Sequence, residues 1–141
     1  VLIVPQNSPV KTLEDLPILD RIAIGEPSSV PAGQYAKESI KNLGYWEQIE
    51  GKLIFAKDVR QVLFYVERDE VDGGLVYRTD ALKSEDVKII TAMPEDSYTQ
   101  ILYPIGIVSD SRHFAGAEKW IELILSEEGQ KVLNKYGFKE L

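Results

Sequence analysis

The sequence predicts an α/β fold in which a mainly parallel sheet is flanked by helices. Two observations support this prediction. The apolar run Ile22–Gly25 passes through turn residues into a helical pattern that starts at Pro31, and residues 52–56 lead in the same way into a helical stripe that starts at Val59. Short strands that alternate with helices of this length are typical of βαβ units, in which neighbouring strands are parallel.

The chain begins with a short strand, a longer loop and a strand-to-helix unit. Residues 1–4 form a β-rich run that Pro5 closes, and Ile22–Gly25 is the next strand. A helix is predicted over residues 31–43, with Gly44 just past its end. The apolar residues of this helix recur at helical spacing and are Ala36, Ile40 and Leu43.

A second helix and a third strand follow residues 52–56. The helix is predicted over residues 59–68, and a capping box between Asp58 and Gln61 marks its first turn. The Asp-Gly-Gly sequence at residues 72–74 predicts a turn that leads into a strand over residues 75–77.

Two more strands and a helical tail complete the predicted elements. The strands cover residues 87–90 and 105–108, and the tail is helical over residues 114–125 and 127–135. Ser126 lies between the two tail segments and is the expected N-cap of the second one.

Composition excludes several classes of function. The chain has 141 residues, of which 44% are hydrophobic and 28% charged, and none of its apolar runs approaches the roughly 20 residues that span a bilayer. With 16 Lys+Arg against 23 Asp+Glu, the net charge is −7, which disfavours nucleic acid and anionic membrane surfaces as partners. The absence of Cys and the single His, His113, exclude thiol catalysis, disulfides and the usual zinc clusters.

The segment Val30-Pro31-Ala32-Gly33 carries the clearest functional signal. A strand that turns through small residues into a helix beginning with proline leaves backbone N–H groups unpaired at the positive end of the helix dipole. Such a helix start binds anions. Ser28 and Ser29 lie nearby, but no local base activates them as nucleophiles. The segment therefore predicts a binder of a small anion and not an enzyme.

Three residues follow predicted strands and are the candidate ligand contacts. Ala32 follows Ile22–Gly25, Val59 follows residues 52–56, and Tyr77 closes the predicted strand 75–77. Ligands of open α/β sheets bind at the carboxyl ends of the strands. Two backbone N–H groups and one phenolic O–H are neutral donors, which suit a fully ionised anion that needs no partner for proton transfer.

Five segments carry a resemblance to a known family, in matching order and spacing. They are residues 22–36, 58–63, 74–80, 103–105 and 135–138. On these segments the chain resembles the C-terminal part of molybdate-binding proteins, which are the extracytoplasmic solute receptors of molybdate ABC importers. The resemblance runs from Val1 to about Phe138, and its most specific part is Val-Pro-Ala-Gly-x-Tyr-Ala.

The resemblance implies a lobe of the class II periplasmic-binding-protein fold, with crossing strands and C-terminal helices. It also implies that molybdate or tungstate binds to the backbone N–H groups of Ala32 and Val59 and to the hydroxyl of Tyr77, with no cofactor and no enzymatic activity. The implied partner is the membrane permease of an ABC transporter. The implied location is periplasmic or extracytoplasmic, with lipid or membrane association in a Gram-positive or archaeal source.

In this family a first lobe precedes the matching segment and supplies serine donors to the other side of the oxyanion. The resemblance therefore implies that residues 1–9 are a crossing strand from a missing first lobe, that residues 10–102 are the second lobe, and that residues 103–141 are a return strand and helices associated with the first lobe. The chain would then carry half of a site. Unpaired edges at residues 1–4 and 105–108 and an apolar tail stripe predict a homodimer, formed by tail exchange or edge pairing. The stripe consists of Phe114, Ala117, Trp120, Ile121 and Ile124.

Other interpretations stay open. The chain is alternatively a receptor for another tetrahedral oxyanion such as sulfate, or the effector-sensing domain of a transcription regulator. Asp58 is interpreted as a helix cap, and Tyr77 is alternatively a core aromatic residue. Arg60 is interpreted as a solvated residue in the first turn of a helix, and neither Arg60 nor Arg78 is counted as an anion ligand. His113 is expected at the surface, and both Trp46 and Trp120 are expected in the core or at a lobe contact.

Overall fold

The computed structural model describes residues 1–139. The chain divides into unit 1, Val1–Gln100, and unit 2, Ile101–Leu141. Among the described residues, no helix combines the length and the apolar character that crossing a membrane requires.

Unit 1 contains one five-stranded sheet in the order β3-β2-β4-β1-β5. Its strands are β1 (Leu2–Pro5), β2 (Ile22–Gly25), β3 (Leu53–Ala56), β4 (Gly73–Leu75) and β5 (Val87–Thr91). β2 pairs in parallel with β3 and with β4, whereas β1 is antiparallel to both β4 and β5. Four strands therefore share one direction, and the prediction of a mainly parallel sheet is confirmed.

β1 lies inside the sheet and not at an edge. Leu2, Ile3 and Val4 have no exposed surface, and β1 has a hydrogen-bonded neighbour on each side. The prediction that residues 1–4 form an unpaired edge is therefore wrong. The reason is that a short, wholly apolar strand is most stable between two neighbours, where both its backbone and both its faces are covered.

Four α-helices belong to unit 1: α1 (Pro31–Asn42), α2 (Trp46–Ile49), α3 (Val59–Glu67) and α4 (Arg78–Ala81). Short 3₁₀ helices cover Leu13–Ile18, Glu50–Lys52 and Glu95–Ser97. The two longer helices match the predicted segments to within about one residue at their ends. Gly44 adopts a φ of 76° just beyond α1, as expected for a residue that terminates a helix.

The side chains of β2 alternate between the two faces of the sheet. Ile22 and Ile24 join the core cluster that contains Ala36 and Ile40 of α1, whereas Ala23 joins the cluster that α3 covers. This alternation is the period of two that a strand imposes. It follows that α1 and α3 pack on opposite faces of the sheet.

β4 begins two residues earlier than predicted. It covers Gly73–Leu75, so the two glycines form part of the strand, and the prediction of a strand over residues 75–77 is wrong. A Cβ at Gly73 would lie 2.9 Å from Leu19 and 3.1 Å from the carbonyl oxygen of Ile3. The glycines therefore serve close packing within the sheet, which the sequence does not distinguish from a turn.

Unit 2 contains two helices, α5 (Phe114–Leu125) and α6 (Glu127–Lys135). The hydroxyl of Ser126 accepts a hydrogen bond from the backbone N–H of Gly129 at 3.2 Å, which confirms the predicted N-cap. The predicted strand over residues 105–108 is wrong, because described residues 101–113 form neither helix nor strand. Ile105 and Val108 are 46% and 75% exposed, and an apolar run without a neighbouring strand cannot satisfy its backbone as a sheet.

Candidate functional site

The order of the strands brings three helix starts to one edge of the sheet. β2 lies between β3 and β4, and all three strands run in the same direction. The chain leaves β2 through α1 to reach β3 on one side, and leaves β3 through α3 to reach β4 on the other side. The carboxyl end of β2 is therefore a topological switch point, where ligands of open α/β sheets bind.

The start of α1 keeps one backbone donor without a partner. Glu26 stabilises the loop before α1, because its carbonyl oxygen accepts hydrogen bonds from the N–H groups of Ser29 and Val30 at 3.1 and 2.8 Å. The carboxylate of Glu26 accepts the N–H of Ser28 at 3.2 Å. Within residues 1–139, no hydrogen bond engages the N–H of Ala32, whose residue is 7% exposed.

The other backbone N–H groups of this turn donate hydrogen bonds within the same loop. The N–H of Gly33 donates to the carbonyl oxygen of Val30 at 2.9 Å, and Pro31 has no N–H to offer. Of the backbone N–H groups from Ser28 to Gly33, only that of Ala32 has no acceptor within the described part of the chain.

The start of α3 has a comparable arrangement. The carboxylate of Asp58 accepts the N–H of Gln61 at 2.8 Å, which confirms Asp58 as a helix cap. The second hydrogen bond of the predicted capping box is different from the expected one. The Gln61 side chain accepts the N–H of Lys57 at 2.8 Å and not that of Asp58. No bond engages the N–H of Val59 within the described residues.

Tyr77 lies at the N-terminus of α4, two residues beyond β4. It has extended backbone angles, and its carbonyl oxygen accepts the N–H groups of Asp80 and Ala81, both at 3.1 Å. The residue is half-buried. Tyr77 therefore lies at a helix start beyond the end of a strand, as the other two candidates do, although it does not close the strand itself.

Two arginines lie in the first turns of these helices, Arg60 in α3 and Arg78 in α4. Both are exposed, and within the described residues neither forms an ion pair with a carboxylate. Glu26 and Asp58 are each occupied by local backbone N–H groups.

A cavity that the sequence did not predict lies beside α1. It has a volume of about 530 Å³, and its lining includes Trp46, with the amino groups of Lys37 and Lys41 at 5.2 and 5.3 Å from the ring. The spacing of four residues between the two lysines was the available signal, because such residues share one helix face. Trp46 packs against the core cluster of α1, as expected for a core residue.

The remaining residues of interest lie in unit 2 or away from the strand ends. His113 is the exposed N-cap residue of α5, which confirms a surface position, and Trp120 is 61% exposed. In the described part of the chain, no group of three or more His, Cys, Asp or Glu residues is arranged to hold a metal ion.

Proteins of similar sequence are transport components. The chain is 47% identical over 140 residues to "Putative ABC transporter substrate-binding lipoprotein YvgL" of Bacillus subtilis, which covers 98% of this chain and 54% of that protein. It is 38% identical over 118 residues to the molybdate-binding protein ModA of Escherichia coli, which covers 84% of this chain and 46% of that protein. The chain thus spans about half the length of the curated relatives it matches.

Solved structures agree with this family. The "substrate binding domain of putative molybdenum ABC transporter from Clostridium difficile" matches all of this chain and 62% of that chain, with a TM-score of 0.96 and 37% identity. The periplasmic molybdate-binding protein of Azotobacter vinelandii has a TM-score of 0.66 at 19% identity, which supports the fold alone. The family model described as bacterial extracellular solute-binding protein matches residues 1–139, and the chain belongs to this family.

Proposed function

We propose that the chain is the second ligand-binding lobe of a receptor that captures molybdate or tungstate outside the cytoplasm and delivers it to the permease of an ABC importer. The observation that carries the proposal is the pair of helix starts at adjacent parallel strands, each with a backbone N–H that lacks a partner within residues 1–139. The names of the relatives support molybdate as the ligand.

The proposed contacts are the N–H groups of Ala32 and Val59 and the hydroxyl of Tyr77. Molybdate is a dianion at neutral pH, and a site of neutral donors matches it without a buried cation. Each hydrogen bond to such a charged acceptor is stronger than a neutral one. The function needs neither a cofactor nor a catalytic group, since capture and release leave the anion unchanged.

The proposed site is half of a complete one. We propose that residues 103–141 associate with the first lobe of the longer protein, and that residues 1–9 cross from that lobe into the sheet of unit 1, where β1 lies between β4 and β5. The donors of the first lobe would cover the other side of the anion. A chain with donors on one side leaves the anion in contact with water, which competes for every bond. We therefore expect the 141-residue chain to bind molybdate far more weakly than a two-lobe receptor does.

We further propose that this chain forms a homodimer through unit 2, by exchange of the tail. Both helices of unit 2 present large apolar side chains to solvent. Those that are 46–61% exposed include Phe114, Trp120, Leu123, Leu125 and Val132. Covering them contributes about 25 cal/mol for each Å² of apolar area, which favours self-association.

A titration of the ¹⁵N-labelled chain with sodium molybdate, followed by ¹H–¹⁵N NMR, tests the proposed site. We expect the amide signals of Ala32 and Val59 to move most, and tungstate to act like molybdate. Sodium chloride at matched ionic strength is the control. Shifts centred on Lys37 and Lys41 would move the anion site to the lysine cavity, and a larger response to sulfate would assign a different oxyanion.

A further inference from the structure

The joint between β2 and α1 contains two glycines in direct backbone contact. A Cβ built on Gly33 would lie 1.9 Å from the carbonyl oxygen of Gly25, 2.4 Å from its carbonyl carbon and 3.0 Å from its Cα. Gly33 is buried, and its φ lies outside the left-handed region. Glycine is therefore needed at this position for close approach and not for an unusual backbone conformation.

Gly25, at the β2 side of this joint, is packed as closely as Gly33. A Cβ on Gly25 would lie 2.6 Å from Cγ1 of Val30 and 3.2 Å from the backbone nitrogen of Gly33. Val30 itself is 8% exposed, so its side chain has little room to move away. The first turn of α1 therefore contacts the end of β2 so closely that neither Gly25 nor Gly33 has space for a methyl group.

We propose that Gly25 and Gly33 are positioning residues, which hold the N–H of Ala32 where the anion binds; this inference rests on the proposed function. Ordinary contact of a Cβ begins at 3.4 Å, so alanine at residue 33 would force the two backbones apart by about 1.5 Å. Ala32 precedes Gly33 directly and must move with it. A hydrogen bond of about 2.9 Å does not survive such a displacement.

No neighbouring amide can take over from Ala32. The N–H groups of Ser28, Ser29, Val30 and Gly33 already donate within the loop, and residue 31 is proline. The start of α1 therefore offers one donor to the anion, and the glycine joint fixes its position.

The test compares Gly33→Ala with two glycine controls in the ¹⁵N-labelled chain, with sodium molybdate as the probe. Gly129→Ala introduces a similar backbone clash in unit 2, where the new Cβ would lie 2.1 Å from the carbonyl oxygen of Leu123. In Gly51→Ala, the second control, the new Cβ would have no atom within 4 Å. The dissociation constant and the melting temperature are measured for each variant.

We expect Gly33→Ala to weaken molybdate binding about tenfold, the effect of losing one bond to a charged acceptor. The Ala32 amide should no longer respond to molybdate, whereas the Val59 amide, on a separate helix, should still respond. Gly129→Ala should lower the melting temperature without changing the dissociation constant, and Gly51→Ala should change neither. A purely structural role for Gly33 would not produce this selective loss at Ala32.

Wild-type affinity in Gly33→Ala, with the Ala32 response retained, would overturn the inference and leave the proposed function intact. Should Gly33→Ala not fold, Gly25→Ala replaces it, because its nearest obstacle is a side chain. Val30→Ala removes Cγ1, the nearest atom, but leaves the Cβ of residue 30 at 2.9 Å, so it should restore only part of the binding. No loss of binding in Gly25→Ala would also overturn the inference. A wild-type chain that responds to no oxyanion would refute the proposed function and the positioning role with it.

Discussion

Val59→Pro isolates a single proposed donor. Val59 is the first residue of α3, the one helical position that proline favours, because its N–H has no partner inside the helix. The preceding residue, Asp58, has φ −159° and ψ 170°, an extended conformation that a following proline accepts. The substitution therefore deletes the N–H while the helix keeps its start.

The expected loss follows from the bond and from its surroundings. A hydrogen bond to a charged acceptor contributes about 1.5–3 kcal/mol. Val59 is half-buried, and a one-sided site leaves the anion hydrated, so the lower end applies. We expect molybdate binding to weaken about tenfold, which corresponds to about 1.4 kcal/mol.

The matched control is Val59→Ala. The Val59 side chain packs against the core cluster beneath α3, and alanine removes most of that packing but keeps the N–H. The response of the Ala32 amide to sodium molybdate gives the dissociation constant of both variants by NMR, and thermal unfolding gives their stability. Equal affinities for the proline and alanine variants would refute the assignment of this N–H as a ligand.

Three further outcomes are expected. In the longer two-lobe receptor, Tyr77→Phe should weaken molybdate binding by about 1.5–3 kcal/mol in calorimetric titration and leave the fold intact, and an unchanged affinity would remove Tyr77 from the site. Trp120→Asp should convert the proposed homodimer to a monomer in light scattering across a concentration series, whereas a wild-type chain that is monomeric at high concentration would contradict self-association. Asp69 has a φ of 55°, so Asp69→Gly should raise the free energy of unfolding in urea by about 0.5–1 kcal/mol; a decrease would show that its side chain stabilises the turn.

Local chemistry was enough to predict the helices of the site. Pro31 at the start of α1, Gly44 after its end, and the Asp58 cap of α3 each act within one turn of chain. The apolar face of each helix can also be predicted from the spacing of its own apolar residues. These features could therefore be predicted without knowledge of the neighbouring elements.

Features that depend on distant partners could not be predicted in this way. Gly73 and Gly74 read as a turn, and only the strands packed around them show that they belong to β4. The buried hydrogen bond of 2.6 Å between the hydroxyls of Ser39 and Ser97 joins residues far apart in sequence, and neither serine signals it. Residues 105–108 have strand propensity, but propensity without a neighbouring strand does not form a sheet.

The candidate site likewise has features that local sequence determines and features that depend on the whole sheet. The N–H groups of Ala32 and Val59 are open because of local helix geometry, which the sequence indicates. Their placement at one edge depends on β2 having β3 and β4 as its two neighbours, which is a property of the whole sheet. The resemblance to a family supplied that placement as an expectation, and the strand order is consistent with it.

The position of β2 between β3 and β4 also couples ligand binding to folding. The three proposed donors come from three separate stretches of chain, so they come together at one site only when all three strands have assembled. A ligand that binds only the assembled sheet stabilises it by mass action, by about 2.7 kcal/mol at a free concentration 100 times the dissociation constant. Molybdate should therefore protect the backbone amides of β2, β3 and β4 from hydrogen exchange together, as one cooperative unit.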